Sequence, residues 1–237
     1  MLTVDCGNST IRCVDDAGRS WSTPSSAPAF ASLAEFVGAA SPRVVAVSVV
    51  PDALAAARGA FQALGLRVEV AGVDLPCPLR LEYVTLETLG ADRWLGAFAA
   101  FRRFGAAVTV DCGTATTVNV VTADGVFRGG AIAPGLAAFV AGMQATAPAL
   151  PSADLDASAS LPADSTQTSV DAGVLIGWAG LVERLVAEAR LAVPGAALVV
   201  TGGNAGRLVA QKQDHAISGP VSVTRRAYIP KIYKLEE

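Results

Sequence analysis

The pentapeptide Thr-Val-Asp-Cys-Gly occurs twice, at residues 3–7 and 109–113. Each copy runs into small residues rich in hydroxyls and amides: Asn8, Ser9 and Thr10 after the first, and Thr114, Ala115, Thr116 and Thr117 after the second. Glycine and small neighbours let a main chain approach an anion closely enough for several N–H groups to point at it. Asp5 and Asp111, two residues before each glycine, bring hard oxygen donors that suit a magnesium ion or its water shell beside phosphate oxygens. The chemistry this pattern describes is the clamping of a polyphosphate between two turns. One Asp-x-Gly after a strand is an ordinary turn. The duplication, the shared hydroxyl-rich sequel and a third strand-end glycine turn, TGGNA at 201–205, favour phosphate binding. Neither Gly-x-x-x-x-Gly-Lys-Ser/Thr nor Gly-x-Gly-x-x-Gly occurs, which removes the P-loop reading and disfavours a dinucleotide-binding fold.

Such turns need strands behind them. Residues 1–21, MLTVDCGNSTIRCVDDAGRSW, read as a strand, a tight turn, a second strand and an Ala-Gly-Arg turn before a third strand. Residues 44–50 read as a buried strand. Pro51 and Asp52 then open a helix with Leu54, Ala57, Phe61 and Leu64 at helical spacing, and a strand follows. A helix is expected from Thr88, closed by Gly105. The first order then repeats: strand, turn and strand through TVDCGTATTVNVV, an Asp-Gly hairpin turn, and a further strand. A helix is expected from about Leu136, a polar loop over 151–169, a long helix over 170–192, and strand, glycine turn and helix in GAALVVTGGNAGRLVAQ. Two halves of similar order predict two α/β domains around a shared cleft, with a boundary near Gly105.

The length of 237 residues allows one large domain or two smaller ones, and the doubled motif favours two. Apolar residues make up 52% of the chain, much of it Ala and Val, as in a well-buried globular protein. The longest uncharged stretch, 129–153, is interrupted by Pro134, Pro148, Pro151, Gln144 and several glycines. That differs from a membrane span of about 20 apolar residues, so no transmembrane segment is expected. The amino terminus enters a strand pattern with Asp5 and has no basic leader or small-residue cleavage site, so secretion is not expected. Cys6, Cys13, Cys77 and Cys112 form no Cys-x-x-Cys pair, which disfavours a disulfide framework or zinc site. A net charge of −3 supplies no broad basic field for nucleic acid. The expected setting is the cytoplasm, with a small-molecule substrate and neither nucleic acid nor membrane as partner.

Taken together, five segments resemble the acetate and sugar kinase, heat-shock ATPase and actin superfamily, and within it the type III pantothenate kinases. DCGNST is similar to that family's first phosphate motif, DCGTATTVN to its second, GGAIAPG to the segment that follows, and TGGNA to its adenosine motif. LGADRW at 89–94, preceded by LEYVTLETLG, is similar to its substrate motif. The resemblance runs from residue 2 to about residue 210. It implies two ribonuclease H-like (actin-like ATPase) domains, 1–104 and 105–237, each a mixed five-stranded sheet with helices, around a central cleft. It also implies ATP-dependent phosphorylation of pantothenate to 4′-phosphopantothenate, the first step of coenzyme A biosynthesis.

Residue by residue, the resemblance implies that Asp92 is the general base for the primary hydroxyl of pantothenate. Arg93 would bind the carboxylate, with Tyr83, Gly90 and Ala91 in the same pocket. Asp5 would position magnesium or its waters, with Gly7, Asn8, Ser9 and Arg12 at the phosphates. Gly113, Thr114, Thr116 and Thr117 would cradle the other side, and Asp111 would sit near a monovalent cation, potassium or ammonium. Gly202 and Gly203 would pass under the adenosine. Thr166 would reach the pantothenate site of a neighbouring subunit, which implies a homodimer; the alternative is that it only caps the next helix. His215 is expected to be solvated. Two departures stand out: Ser165 and Thr168 replace the Asn and Glu of the family's Asn-Thr-x-Glu-Ala pattern, and the last 25 or so residues lack its closing helix pattern. A kinase of another small hydroxy acid and a catalytically silent accessory binding protein are the alternative readings.

Overall fold

The computed structural model describes residues 1–38, 42–210 and 221–223. The chain divides into two compact units, one formed by Met1–Ala99 and the other beginning at Ala100. His215 and most of the atypical tail lie outside the described residues.

The first unit is built on β1 (Leu2–Cys6), β2 (Thr10–Asp15), β3 (Ser20–Pro24), β4 (Val44–Ser48) and β5 (Val68–Val70), with α1 (Leu33–Val37) and α2 (Pro51–Ala63). Its sheet has the order β3-β2-β1-β4-β5. β1 to β3 form an antiparallel meander, while β4 and β5 run parallel to β1. A short strand, β6 (Arg80–Leu81), and a 3₁₀ turn over Leu86–Thr88 lead to α3 (Ala91–Phe104), which begins in this unit.

The second unit contains β7 (Ala107–Cys112), β8 (Ala115–Val121), β9 (Val126–Pro134), α4 (Leu136–Thr146), α5 (Thr166–Ala192), β10 (Ala197–Thr201), α6 (Ala205–Ala210) and β11 (Val221–Val223). Its strands follow the order β11-β10-β7-β8-β9. β7, β8 and β9 are antiparallel, and β10 and β11 run parallel to β7. Read from the other edge, this is the arrangement of the first unit. The two copies of Thr-Val-Asp-Cys-Gly are therefore the central strand of each sheet.

A strand turns successive side chains to opposite faces, and the repeated motif uses this identically in both units. Val4 and Cys6 enter one core with Phe61 and Leu33, and Val110 and Cys112 enter another around Trp178. Asp5 and Asp111 consequently face the other side of their sheets. The second core gathers along α5, whose Val170, Val174, Leu175, Trp178, Val182 and Val186 are buried. Each fully buried side chain of this size contributes roughly 1.5–3 kcal/mol relative to exposure.

Three elements differ from the sequence reading at their ends. On α2 the buried residues are Ala53, Ala57 and Phe61, while Leu64 is exposed, because the helix ends at Ala63 and Gly65 turns away at φ +73°. Leu66 enters the core instead. The helix expected from Thr88 begins at Ala91, since Leu89 is extended and the Arg93 N–H bonds back to the Gly90 carbonyl at 3.1 Å. The end of the polar loop belongs to α5: Ser165 caps the helix, accepting the Thr168 N–H at 3.2 Å, while the Thr168 hydroxyl accepts the Ser165 N–H at 3.1 Å. The sequence reading overlooked this reciprocal capping box because residue 168 is Thr rather than Glu or Gln.

Candidate active site

At the first turn, Asp5 lies on β1 opposite Arg12 of β2 and beside Val47 of β4. The Gly7 N–H bonds the Thr10 carbonyl at 3.0 Å, closing the turn. Ser25 pins it from outside: its hydroxyl donates to the Gly7 carbonyl at 2.6 Å and its N–H to the Ser9 carbonyl at 3.1 Å. Asn8, Ser9 and Arg12 are exposed, so their polar groups are accessible to a ligand.

The second turn is tighter by one residue. The Gly113 N–H bonds the Ala115 carbonyl at 3.1 Å, and Thr114 and Ala115 are exposed. Thr117 lies opposite Asp111 in the β7–β8 register. Thr116 faces the opposite way: it is fully buried, and its hydroxyl accepts the indole N–H of Trp178 at 3.1 Å. Gly135 presses on this turn, since a Cβ there would lie 2.5 Å from the Gly113 carbonyl oxygen and closer still to that of Thr114.

The third glycine turn belongs to the same cluster. Gly202 has φ +97°, and a Cβ on it would collide with the Asp111 carboxylate and come within 2.6 Å of the Cys112 amide nitrogen. The Asn204 N–H bonds the Cys112 carbonyl at 3.0 Å. Gly203 has open space above it. Arg207 braces the turn from behind, with its guanidinium on Asn204 Oδ1 at 3.3 Å, the Leu155 carbonyl at 3.1 Å and Asp156 at 2.5 Å.

In the first unit, Asp92 and Arg93 are adjacent on the first turn of α3 but face differently. Asp92 is exposed, and its Oδ1 lies 2.5 Å from where a Gly90 Cβ would stand, with Val49 alongside. A side chain at position 90 would displace the carboxylate from that position. Arg93 is 6% exposed; it donates to the Tyr83 hydroxyl at 3.2 Å and its guanidinium carbon lies 5.6 Å from the Tyr83 ring centroid. A buried guanidinium is costly without partners. Arg93 is therefore no solvated surface charge. Ala91 is buried against Gly72.

Thr166 is the first helical residue of α5 and is exposed, while Ser165 supplies the cap. It stands about 18 Å along the helix from Trp178, at a rise of 1.5 Å per residue, so within the second unit it is separate from the turn at Gly113–Ala115. Burial pushes the Cys6 and Cys112 thiols up to about 12, and the carboxylates of Asp5 and Asp111 beside them act in the same direction. Both remain protonated and unreactive. Ser25, Arg207 and Trp178 contact these turns and are residues that the sequence reading did not pick out, whereas Gly135 closes the GGAIAPG segment that it did. A Trp in mid-helix was the one readable signal, because a buried indole N–H requires an acceptor.

Two sheets of one strand order, each ending its central strand in a glycine turn beside a carboxylate, define a mixed α/β protein. A solved structure from Campylobacter jejuni described as a Baf family transcriptional activator superimposes with a TM-score of 0.63, at 18% identity, over 99% of this chain and 96% of its own. Another from Sinorhizobium meliloti, described as a 2-dehydro-3-deoxygalactonokinase, superimposes with a TM-score of 0.52, at 12% identity, over 98% of this chain and 95% of its own. The model of the type III pantothenate kinase family matches residues 1–188, and the chain belongs to that family. Among its relatives, the type III pantothenate kinase of Rhodopirellula baltica is 43% identical over 63% of this chain and 55% of its own length. That of Nitratidesulfovibrio vulgaris is 38% identical over 62% and 58%. The Listeria monocytogenes enzyme is 31% identical over 71% and 66%. The chain thus spans little more than half the length of the first two.

Proposed function

We propose that this chain is a kinase that transfers the γ-phosphoryl group of ATP to the primary hydroxyl of pantothenate, the first step of coenzyme A biosynthesis. The observation that carries the reading is the exposed Asp92 carboxylate beside Gly90, next to the buried Arg93–Tyr83 pair, on a chain of this family. Phosphoryl transfer asks a protein mainly for positioning and charge neutralisation. Asp92 accepts the proton of the attacking hydroxyl, for which hydrogen-bond reach matters before any tuned pKa. Arg93 offers a planar fork to the pantothenate carboxylate, held by Tyr83, with Gly90 and Ala91 shaping the pocket.

Each turn is a phosphate-binding turn for ATP. Asn8, Ser9 and Arg12 supply donors at the first turn and Thr114 and Thr117 at the second, with Gly7 and Gly113 letting the main chain come close and Thr116 anchoring the second turn from the core side. Gly202 and Gly203 carry the adenosine.

The donor chemistry suits a divalent ion of the magnesium type. Asp5 and Asp111 are oxygen donors at the two turns, and the described residues hold no cluster of three metal-ligating side chains. Magnesium is ordinarily held by one or two carboxylates together with phosphate oxygens and water. When bound it neutralises charge on the phosphates. Asp111 also borders a potassium or ammonium ion. Thr166 reaches the substrate of a second subunit in a homodimer, and the protein works in the cytoplasm.

The test is ADP release with pantothenate, ATP and magnesium, in potassium and again in sodium. Release that requires pantothenate and rises with potassium is expected. Release with a different hydroxy acid alone overturns the substrate, and ATP binding without turnover on any acceptor overturns the enzyme.

A further inference from the structure

Trp178 sits midway along α5, fully buried, and donates its indole N–H to Thr116 Oγ1 at 3.1 Å across a sequence separation of 62 residues. Its acceptor is the second residue of β8, immediately after the exposed turn at Gly113–Ala115. The local sequence Thr114-Ala115-Thr116-Thr117 specifies its own register weakly, because residues 116 and 117 are the same small β-branched side chain. On a pleated strand the two face opposite sides, and a slip of one residue exchanges them. Thr116 shares the core face with Val118 and Val120, whereas Thr117 pairs with Asp111. A buried indole N–H requires an acceptor, and here it selects Thr116.

We infer that Trp178 is a positioning residue for nucleotide binding. Through Thr116 it holds the start of β8 so that Thr117 lies beside Asp111 and the turn at 113–115 keeps its shape. This rests on the phosphate role proposed above for the second turn.

The test compares Trp178→Phe, Thr116→Val, the double variant and Thr116→Ser by calorimetric Kd for Mg-ATP, by KM for ATP and for pantothenate, and by melting temperature. Trp178→Phe keeps most of the packing and deletes the donor. Its Mg-ATP Kd and ATP KM rise roughly three- to tenfold, the range expected for one buried hydrogen bond, while the pantothenate KM stays put. Thr116→Val loses as much, the double variant loses no more than either single one, and Thr116→Ser, which retains an acceptor, recovers most of the loss.

An unchanged Mg-ATP Kd in folded Trp178→Phe overturns the inference, as do single-variant losses that multiply in the double variant. If Trp178→Phe does not fold, the Thr116 pair decides, since both retain Trp178: a loss confined to Val supports the inference and equal Kd values overturn it. Wild-type protein that binds Mg-ATP but does not phosphorylate pantothenate overturns the substrate reading alone, and the variants are still compared by Kd. Wild-type protein that binds no nucleotide overturns both.

Discussion

Asp92 and Arg93 show how neighbouring residues on one helical turn can take opposite environments. The carboxylate is exposed beside Gly90, and the guanidinium is buried on Tyr83. Asp92→Asn keeps the size of the side chain and removes the carboxylate proposed as the base. It is expected to lower kcat by roughly 10²–10⁴-fold, the usual worth of general-base catalysis, with the Mg-ATP Kd unchanged; a variant with wild-type turnover overturns the assignment. Arg93→Lys retains the charge but loses the planar fork and its stacking on Tyr83. The expected result is a pantothenate KM raised by about an order of magnitude with a smaller change in kcat, read from steady-state kinetics.

Among the elements, the glycine turns and the cap of α5 carry separate predictions. Gly202→Ala places a methyl group against the Asp111 carboxylate at a left-handed φ, a strain of about 1–3 kcal/mol. It is expected to weaken Mg-ATP binding in calorimetry and to lower the melting temperature. Ser165→Ala removes the capping acceptor of the Thr168 N–H. Its expected cost is about 1 kcal/mol, seen as a melting temperature lower by roughly 2–4 °C. Much of this level was legible in the sequence. The repeated TVDCG marked a strand in each half, and the strand–turn–strand order of each half is present in the structure. The order of the strands within each sheet was not legible, because alternation says which face a residue takes and not which strand lies beside it. The Trp178–Thr116 bond was hidden for the same reason, joining two elements distant in sequence. The end of α2 was misjudged at Leu64, where the periodicity ran one residue beyond Ala63, the last of the helix, just before Gly65. The collision of Gly202 with Asp111 likewise needs the three-dimensional neighbourhood, although both residues stood in recognised motifs.

For the molecule as a whole, the buried thiols set an alkaline limit. Cys6, Cys13 and Cys112 are pushed up to about 12 in the folded protein, first by burial and then by nearby charge, against about 9 when unfolded. Above pH 9 the unfolded chain loses these protons while the folded chain retains them, so the unfolded state binds fewer and stability falls as pH rises. The full contribution is present below pH 9 and is lost between 9 and 12. Each thiol sets a slope of about 1.4 kcal/mol per pH unit. Denaturant melts at pH 8, 9 and 10 are expected to show this decline, and Cys112→Ala is expected to flatten it. The placement of these residues also provides a clock. Cys6 and Cys13 lie in the core of the first unit and Cys112 in that of the second. An alkylating reagent can reach each one only when its own sheet opens. Timed labelling followed by mass mapping would therefore report the opening rate of each unit separately, using reporters that the duplicated motif already carries.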